Sequence, residues 1–299
     1  MNGNTSLPLS STASLFLVSF TSLQIIIGSL SNGFVVVTFL AARELRRRPS
    51  DLFILNLAVA DLIFLTTFQP WLTHVLHQKG IEHGYYFYES LDTIVNLSSQ
   101  HAIMLIAIDR LIAVVLPLRY KTLVTRKVIY TSIIISWTFG LLIGILTFLV
   151  YLFEFYKTFL VFLTLFHLVL MLVIIIIYAI IFTATIKQSR KTLRQRRILS
   201  TENENSIHIR DARMSKTTLN TFILVFLFYA TVLPFMIYSA HCFLVLGMEN
   251  KGHMVTRSWI YSFSSLNSCV NPFIYILRTK RFKKACYGFW CKIISSKFS

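Results

Sequence analysis

One acidic side chain lies in the middle of an apolar segment, where a charge needs compensating groups. Asp61 is the only Asp, Glu, Lys or Arg between positions 52 and 75. A charged residue at the centre of a lipid-embedded helix costs about 2.5–3.5 kcal/mol on insertion scales, so it requires hydrogen-bond or charge partners. Polar side chains at comparable depth in other apolar segments could supply them: Asn32, Ser99, Asn267, Ser268 and Asn271.

Two interpretations of this polar set are open. Oxygen atoms around a carboxylate suit a Na⁺ ion or a water network, whereas the same atoms could form a hydrogen-bonded cluster that only joins helices. A candidate Na⁺ site at Asp61 is the one metal site that the sequence predicts, and we expect no other cofactor.

These polar residues must be positioned by helices that cross a membrane. Hydrophobic residues make up 55% of the 299 positions and charged residues only 14%, whereas soluble proteins average about 25% charged residues. A spanning helix needs roughly 20 mostly apolar residues. Seven segments qualify, at about 14–41, 50–76, 85–116, 128–150, 157–187, 215–246 and 256–277. We therefore predict an all-α membrane protein, a seven-transmembrane helix bundle over 14–278, with an extracellular segment 1–13 and a cytoplasmic segment 279–299.

The positions of the basic residues predict the orientation of the bundle. Of the 29 Lys and Arg residues, only Lys79, Lys157, Lys251 and Arg257 lie on the side of the N-terminus. Because cytoplasmic loops are enriched in Lys and Arg, we expect an extracellular N-terminus and a cytoplasmic C-terminus in a multi-pass plasma-membrane protein. The net charge of +17 is thus a topology signal, and no nucleic-acid partner is expected. Asn4 begins a glycosylation sequon on the predicted outer side.

Two function classes are disfavoured by what the sequence lacks. It has no metal-ligand spacing, nucleophile–base pair or phosphate-binding loop, so no enzyme is predicted. A transporter or channel would predict inverted repeats with broken helices in matching halves. Seven segments do not divide into equal halves, and no such repeat is visible.

Short motifs on the predicted helices follow one another in an order that is typical of one receptor family. They are Asn32, Leu57-Ala58-Val59-Ala60-Asp61, Asp109-Arg110-Leu111, Trp137, Tyr178, Pro234 and Asn271-Pro272-Phe273-Ile274-Tyr275. Each motif alone is weak, whereas the ordered set covers nearly the whole chain. The chain therefore resembles rhodopsin-like (class A) G-protein-coupled receptors, with some features of the melanocortin, cannabinoid and lysolipid branch.

The resemblance implies a switch at the inner ends of the helices. Arg110 would be held by Asp109 in the inactive state and released toward a G protein in the active state. Tyr178 and Tyr275 would move toward it, and Leu118 in the second inner loop would insert against the G protein. The alternative for Asp109 and Arg110 is an ordinary surface ion pair.

Two prolines are implied to be hinges of this switch. Pro234 and Pro272 each remove one helical hydrogen bond from the sixth and seventh predicted helices. An outward movement of the sixth helix requires such a weak point.

The outer half of the third predicted helix carries two carboxylates on one face. Asp92 and Glu89 are three residues apart, and residues at this spacing are neighbours on a helix. In amine receptors the resemblance makes Asp92 the counter-ion of an ammonium group, so we expect a cationic ligand, an amine or a peptide. Pairing of Asp92 with a resident group such as His74 or Lys157 is the alternative.

Aromatic residues offer only part of the pocket that amine receptors use. Trp71, Phe235 and Tyr261 are expected to line the ligand site, but Ser265 stands where amine receptors carry tyrosine. This departure weakens a monoamine ligand and leaves a peptide or a lipid open.

Other positions depart from the family pattern. No cysteine lies near Tyr85 or in the loop around 151–157, and Leu170 and Met171 occupy the region of the usual proline in the fifth helix. Val232 replaces the usual tryptophan of the sixth helix, and the region of Met214 lacks the usual acidic partner of the switch arginine. Without an outer disulfide and an acidic lock, the inactive state should be loose, so we expect signalling without ligand.

The segment after the seventh helix predicts a membrane contact. Phe282 among basic residues indicates a short amphipathic helix along the inner membrane face. Cys286 and Cys291 are candidate palmitoylation sites, with unmodified thiols as the alternative. Membrane lipids, a heterotrimeric G protein, an extracellular amine or peptide ligand, arrestin and receptor kinases are the expected partners. The competing function is a signalling-dead scaffold or receptor relative, because Val232 breaks the usual switch pattern.

Overall fold

The computed structural model describes residues 10–78, 85–153, 155–198, 223, 226–238, 241, 251–278 and 281–288. Regular secondary structure in these ranges is helical, without strands. The helices are α1 (Ser11–Ala41), α2 (Arg43–Arg46), α3 (Asp51–Thr66), α4 (Phe68–Gln78), α5 (Tyr85–Val115), α6 (Tyr120–Leu123), α7 (Arg126–Leu152), α8 (Tyr156–Ile198), α9 (Phe226–Tyr238), α10 (Lys251–Ser264), α11 (Leu266–Arg278) and α12 (281–288).

Long apolar helices make up most of the chain that the structure describes. Within that part, five helices are long and apolar enough to cross a membrane: Ser11–Ala41, Asp51–Val75, Tyr86–Val115, Arg126–Leu152 and Val161–Gln188. The described piece of the sixth predicted span is the shorter apolar helix α9. Ile134 on α7 and Ile176 on α8 are 64% and 57% exposed, as expected where lipid is the solvent.

The second predicted span is divided in the structure. Helix α3 ends at Thr66 and α4 begins at Phe68. Pro70 has no N–H to donate to the carbonyl of Thr66, and its ring crowds that carbonyl, so the helix breaks one turn earlier. The Thr67 hydroxyl donates to the carbonyl of Ile63 at 2.6 Å and competes with the helical hydrogen bonds.

The helices of the fifth and seventh spans are longer in the structure than the apolar segments of the sequence predict. Helix α8 continues to Ile198, past the predicted end at 187, because Lys, Gln and Arg are good helix formers outside lipid. The seventh span begins at Lys251 and is divided into α10 and α11 at Ser265. Pro272 lies inside α11.

Helix α5 packs against α3, α7 and α8 in the centre of the bundle. Its inner half contributes Ala102, Ile103 and Ala107 to a core that also contains Ile174 of α8 and Phe228 of α9. Tight packing against α7 is achieved by glycine. A Cβ atom built on Gly144 would lie 2.2 Å from Ile94 Cγ1 and 3.0 Å from the carbonyl oxygen of Ser90.

The close approach of α5 and α7 predicts that Gly144→Ala destabilises the protein. The new methyl group meets a β-branched side chain and backbone, and overpacking of this kind costs about 1–3 kcal/mol. Gly33→Ala is the matched control, because a Cβ atom there meets nothing within 4 Å and alanine is the better helix former. Thermal unfolding of the two purified variants checks this; a Gly144→Ala protein as stable as the control would contradict it.

Candidate functional site

The buried carboxylate of Asp61 is bound by two donors from α11. Asp61 is 1% exposed. The hydroxyl of Ser268 donates to Oδ1 at 2.9 Å, and the amide of Asn271 donates to Oδ2 at 2.8 Å. We call Asp61, Ser268 and Asn271 the Asp61 cluster. It joins α3 to α11 across the bundle.

Asn32 of α1 supports the same region through a backbone atom. Since Pro272 has no N–H, the carbonyl of Ser268, four residues earlier, lacks its helical donor. Asn32 Nδ2 donates to this carbonyl at 2.8 Å and to the carbonyl of Gly28 at 2.9 Å. The amide therefore replaces the hydrogen bond that the proline removes.

Several oxygen atoms near the Asp61 cluster are available as acceptors. Asn32 Oδ1 and Asn271 Oδ1 are buried and have no hydrogen-bond partner among the described residues. Ser99 and Asn267 line the cavity that also reaches Asp61. A carboxylate has about four lone-pair positions, of which the two donors occupy only two.

A cavity extends from the Asp61 cluster toward the predicted outer side of the bundle. Its walls come from α3, α5, α8, α9 and α10–α11, and we call it the central cavity. Asp61, Glu89, Asp92, Phe235 and Tyr261 are among its lining residues. Both predicted polar sites therefore face one continuous space.

Asp92 lies in the central cavity and has neighbours on two helices. The Tyr261 hydroxyl of α10 and the Asn96 amide of α5 each donate to Asp92 Oδ1 at 2.5 Å. Phe235 packs edge-on against Tyr261, with 5.0 Å between ring centroids. The side chain of Lys157 lies outside the described residues, so its pairing with Asp92 stays a prediction.

Trp71, which we expected on the ligand site, packs against aromatic rings of α4 and α5. Its ring stacks on Tyr88 at 4.7 Å and lies 5.3 Å from Phe68, and it is not among the cavity-lining residues. The ring of Phe68 in turn lies 5.5 Å from that of Tyr261. Trp71 thus packs against Phe68, whose ring contacts Tyr261.

A second polar network between α1, α4 and α10–α11 was not predicted. Gln69 Nε2 donates to Gln24 Oε1 at 2.8 Å, and Gln24 Nε2 donates to the carbonyl of Ser262 at 2.8 Å. Ser265, at the break between α10 and α11, donates to Gln24 Oε1 at 3.1 Å. The glutamines within apolar segments were the available signal, and the expectation of polar partners around Asp61 did not include them.

Near the C-terminus of α5, at its predicted inner end, Arg110 forms an ion pair with Asp109. The Tyr120 hydroxyl of α6 donates to Asp109 Oδ1 at 2.6 Å. Burial raises the pKa of Tyr120 to about 12, and the charge of Asp109 adds to the rise, so the hydroxyl remains a donor. Sequence reasoning found Asp109 and Arg110 but missed Tyr120, which follows them in a short connecting helix.

The structure describes some of the other residues of the predicted switch. Tyr178 is buried in the core beside α5, and Leu118 is 97% exposed on the inner side. Pro234 lies in α9. The side chain of Tyr275, together with Asn4, Cys291 and Met214, lies outside the described residues.

Helix α12 is held against the inner ends of α1 and α3. Phe282 is fully buried among Val35, Phe39 and Leu45, and Arg281 pairs with Asp51 at 3.2 Å.

Cys286, a predicted palmitoylation site, lies in α12. The Cys286 thiol is buried, and burial raises its pKa. A buried thiol must become exposed before it can be palmitoylated, so this modification stays a prediction and would require α12 to move.

Comparison with known proteins matches most of the chain to one family. The model of the family described as 7 transmembrane receptor (rhodopsin family) matches residues 31–275. Cannabinoid receptor 1 of Xenopus laevis is 29% identical over 298 residues, which cover 88% of this chain and 61% of that protein.

Two further proteins are similar to this chain. The Gq-coupled rhodopsin of Mizuhopecten yessoensis is 26% identical over 88% of this chain and 56% of its own length. Cannabinoid receptor 2 of Mus musculus is 32% identical over 46% of this chain and 40% of its own length. The chain spans less than two thirds of the length of these relatives.

The contact between Asn32 and Ser268 predicts that Asn32→Ala destabilises the bundle. The substitution leaves a buried carbonyl without a donor, which costs about 1–3 kcal/mol. Ser31→Ala is the matched control, because Ser31 donates only to Gly28 within its own helix. The measurement is thermal unfolding followed by a thiol-reactive dye, since the buried thiol of Cys269 becomes exposed on unfolding. Equal melting temperatures of the two variants would be incompatible with this role.

Proposed function

Because this chain belongs to the rhodopsin family of seven-transmembrane receptors, we propose that it converts the binding of an extracellular ligand into activation of a heterotrimeric G protein. The family consists of receptors and not of enzymes, and the chain is a multi-pass membrane protein. The proposal places it in the plasma membrane with the N-terminus outside, in accord with the distribution of its basic residues.

The observation that carries the proposal is the ion pair at the inner end of α5. Arg110 is bound to Asp109, and Tyr120 holds the other oxygen of that carboxylate. The Arg110 side chain is 22% exposed, so it is close to the surface that a cytoplasmic partner would contact. Loss of the pair would free a guanidinium group with five donors for that partner.

A connection from the ligand side to the inner side follows the divided seventh span. Tyr261 in α10 donates to Asp92, and Asn271 in α11 donates to Asp61. A ligand that competes for Asp92 would displace Tyr261, and the break at Ser265 lets α10 shift against α11. Pro234 gives α9 a comparable weak point.

The ligand that we propose carries a positive charge, as an amine or a peptide. Glu89 and Asp92 both line the central cavity, and two carboxylates on one wall favour a cation by Coulomb attraction. The ligand would add to or replace the donors Tyr261 and Asn96 at Asp92.

We propose that a Na⁺ ion binds at the Asp61 cluster. Asp61 and Asn271 Oδ1, with Ser99 and Asn267 in the same cavity lining, would supply the oxygen ligands that hard cations prefer. The bound ion would neutralise the charge of Asp61 and bias the bundle toward the arrangement in which α3 and α11 are joined.

Contacts on the inner side are proposed for three further groups. Leu118, fully accessible on its loop, would insert into the G protein. Lipids would contact the outer faces of the bundle and α12. Arrestin and receptor kinases would use the same inner face once the receptor is active.

The ion pair predicts that Arg110→Ala abolishes signalling in the absence of ligand. Cells expressing the wild type should activate at least one G-protein family, and Arg110→Ala should reduce this activity to the level of empty cells. The matched control is Arg119→Ala, which removes an exposed arginine nine positions later and should retain activity. The readout is G-protein activation across all families at matched surface expression.

Two outcomes would contradict this part of the proposal. One is equal activity of wild type and Arg110→Ala. The other is wild-type activity at the background of empty cells in every G-protein family, which would favour the signalling-dead relative.

The Asp61 cluster predicts that Na⁺ stabilises the purified receptor. At a Na⁺ concentration tenfold above the dissociation constant the gain is about 1.4 kcal/mol. Replacing NaCl by choline chloride at equal ionic strength should lower the melting temperature of the wild type, while Asp61→Asn should no longer respond. Glu44→Gln is the control, because it removes an acid that is exposed at the inner surface. Equal Na⁺ responses of Asp61→Asn and wild type would exclude this site.

A further inference from the structure

The break in the seventh span lies against one residue of α1. Helix α10 ends at Ser264 and α11 begins at Leu266, so Ser265 separates them. Gln24 of α1 is buried, and its side chain bonds the C-terminal end of α10. Its Nε2 donates to the carbonyl oxygen of Ser262 at 2.8 Å, and its Oε1 accepts from the hydroxyl of Ser265 at 3.1 Å. One amide of α1 therefore holds the end of α10 through two hydrogen bonds.

The same residue contacts α11 through its backbone. The thiol of Cys269, in the first turn of α11, donates to the carbonyl oxygen of Gln24 at 3.3 Å. The helices come close here because the next turn of α1 carries a glycine. A Cβ atom built on Gly28 would lie 2.9 Å from Cys269 Sγ and 2.6 Å from Leu65 Cδ1. Gln24 thus contacts the seventh span on both sides of its break.

Gln69 of α4 adds a third helix to this arrangement. It is fully buried, and its Nε2 donates to Gln24 Oε1 at 2.8 Å and to the hydroxyl oxygen of Ser265 at 3.3 Å. Gln24 Oε1 therefore accepts from α4 as well as from the break. We call this set of residues the Gln24 bracket: Gln24, Gln69, Ser262, Ser265 and Cys269.

The polar side chains of the Gln24 bracket are buried, so water does not replace the hydrogen bonds between them. Gln24, Gln69, Ser262 and Ser265 all belong to the buried residues. A shift of α10 away from α1 would leave the Gln24 amide nitrogen without its acceptor on Ser262, and an unsatisfied buried donor is costly. The Gln24 bracket therefore stabilises the observed position of α10.

The proposed ligand site lies directly beside the Gln24 bracket in the chain. Tyr261, whose hydroxyl donates to Asp92, precedes Ser262, and its carbonyl oxygen accepts the backbone N–H of Ser265 at 3.0 Å. A movement of α10 that takes the Tyr261 hydroxyl away from Asp92 also moves Ser262. Such a movement therefore acts against the hydrogen bonds of Gln24.

We propose that Gln24 is a positioning residue, which holds α10 against α1 and α11 in the ligand-free arrangement and so limits activation without ligand. Gln24 is not among the residues that line the central cavity, and it acts through Ser262, which fixes α10 and with it Tyr261. The inference rests on the proposed function, in which α10 shifts against α11. It adds the residue that opposes this shift.

The reactivity of the Cys269 thiol tests the Gln24 bracket without any signalling readout. In a receptor that carries Cys242→Ser, Cys286→Ser and Cys291→Ser, Cys269 is the one remaining cysteine. Its modification by N-ethylmaleimide is timed in lipid nanodiscs. Gln24→Met keeps the backbone carbonyl that Cys269 bonds and a side chain of similar length, but it removes the amide. Modification should become about fivefold faster, as expected for the loss of a neutral hydrogen bond.

Thr21→Val is the matched control. Thr21 lies one turn earlier on the buried face of α1, and among the described residues its hydroxyl bonds only α1 and Thr73 of α4. Valine has a similar shape, so this variant removes a buried contact of α1 that does not involve the seventh span. It should leave the modification rate unchanged. An equal increase in Thr21→Val and Gln24→Met would show a general loosening of α1 and would overturn the assignment to Gln24.

G-protein activation without ligand, at matched surface expression, is the second readout. Gln24→Met should raise it about fivefold above the wild type, whereas a variant that only destabilises the fold would lower it. Tyr261→Phe should also raise it, because the phenyl ring cannot donate to Asp92. The double variant should exceed the larger single effect only slightly, since both changes release α10. Additive effects would separate Gln24 from the movement of α10 and refute the inference.

The two readouts distinguish failure of this inference from failure of the proposed function. Equal modification rates in Gln24→Met and the wild type would overturn the positioning role. Faster modification without a rise in activation, in a receptor that Asp109→Asn does activate, would overturn the effect of Gln24 on signalling. Absence of activation in the wild type, Gln24→Met and Asp109→Asn alike would contradict the proposed function, and the modification rates would still decide whether Gln24 holds α10.

Discussion

The charge of Asp61 in the middle of a lipid-embedded bundle constrains the helices around it. An isolated carboxylate there is costly, so donors must be brought to it from neighbouring helices. Ser268 and Asn271 of α11 donate hydrogen bonds to it. They can do so only while α11 keeps its orientation about its own axis relative to α3. Pro272 follows directly, and the carbonyl that it deprives of a donor is bound by Asn32 of α1. The buried charge of Asp61 therefore constrains the relative positions of α1, α3 and α11. A small rotation of α11 would break the contacts that hold them.

Helix α5 carries a candidate residue at each end. Asp92 and Arg110 are separated by 18 positions, about 27 Å of a continuous helix. Helix α5 packs against α3, α7 and α8. We therefore expect it to keep its position when the receptor is activated. We expect α9 and the divided seventh span to move instead, because Pro234 and the break at Ser265 weaken these helices. The account thus assigns α5 the role of a fixed frame, against which α9, α10 and α11 shift when a ligand competes for Asp92.

Some contacts of the described residues follow from the sequence, and others depend on how the helices pack. Asp61 was expected to gather polar partners because the cost of a charge in lipid does not depend on tertiary detail, and the family match supports the helix bundle. The second partner of Asp109 could not be foreseen, since Tyr120 reaches it only through the turn that α6 makes. The break at Thr67 was missed because apolarity alone delimits a span without showing where proline divides it. The burial of Cys286 depends on how Phe282 docks between α1 and α3, which residue types do not reveal. The network of Gln24, Gln69 and Ser265 contains no charge, so the cost of a charge in lipid did not point to it.

The central claim is that Arg110 activates a G protein when its pair with Asp109 is lost. The most direct test is nucleotide exchange on purified heterotrimers by the receptor in lipid nanodiscs, comparing Asp109→Asn with the wild type. The asparagine keeps an acceptor for the Tyr120 hydroxyl but removes the charge that holds Arg110. The account predicts faster exchange without ligand in Asp109→Asn than in the wild type for at least one heterotrimer. Exchange that is equal to or slower than the wild type with every heterotrimer would contradict it.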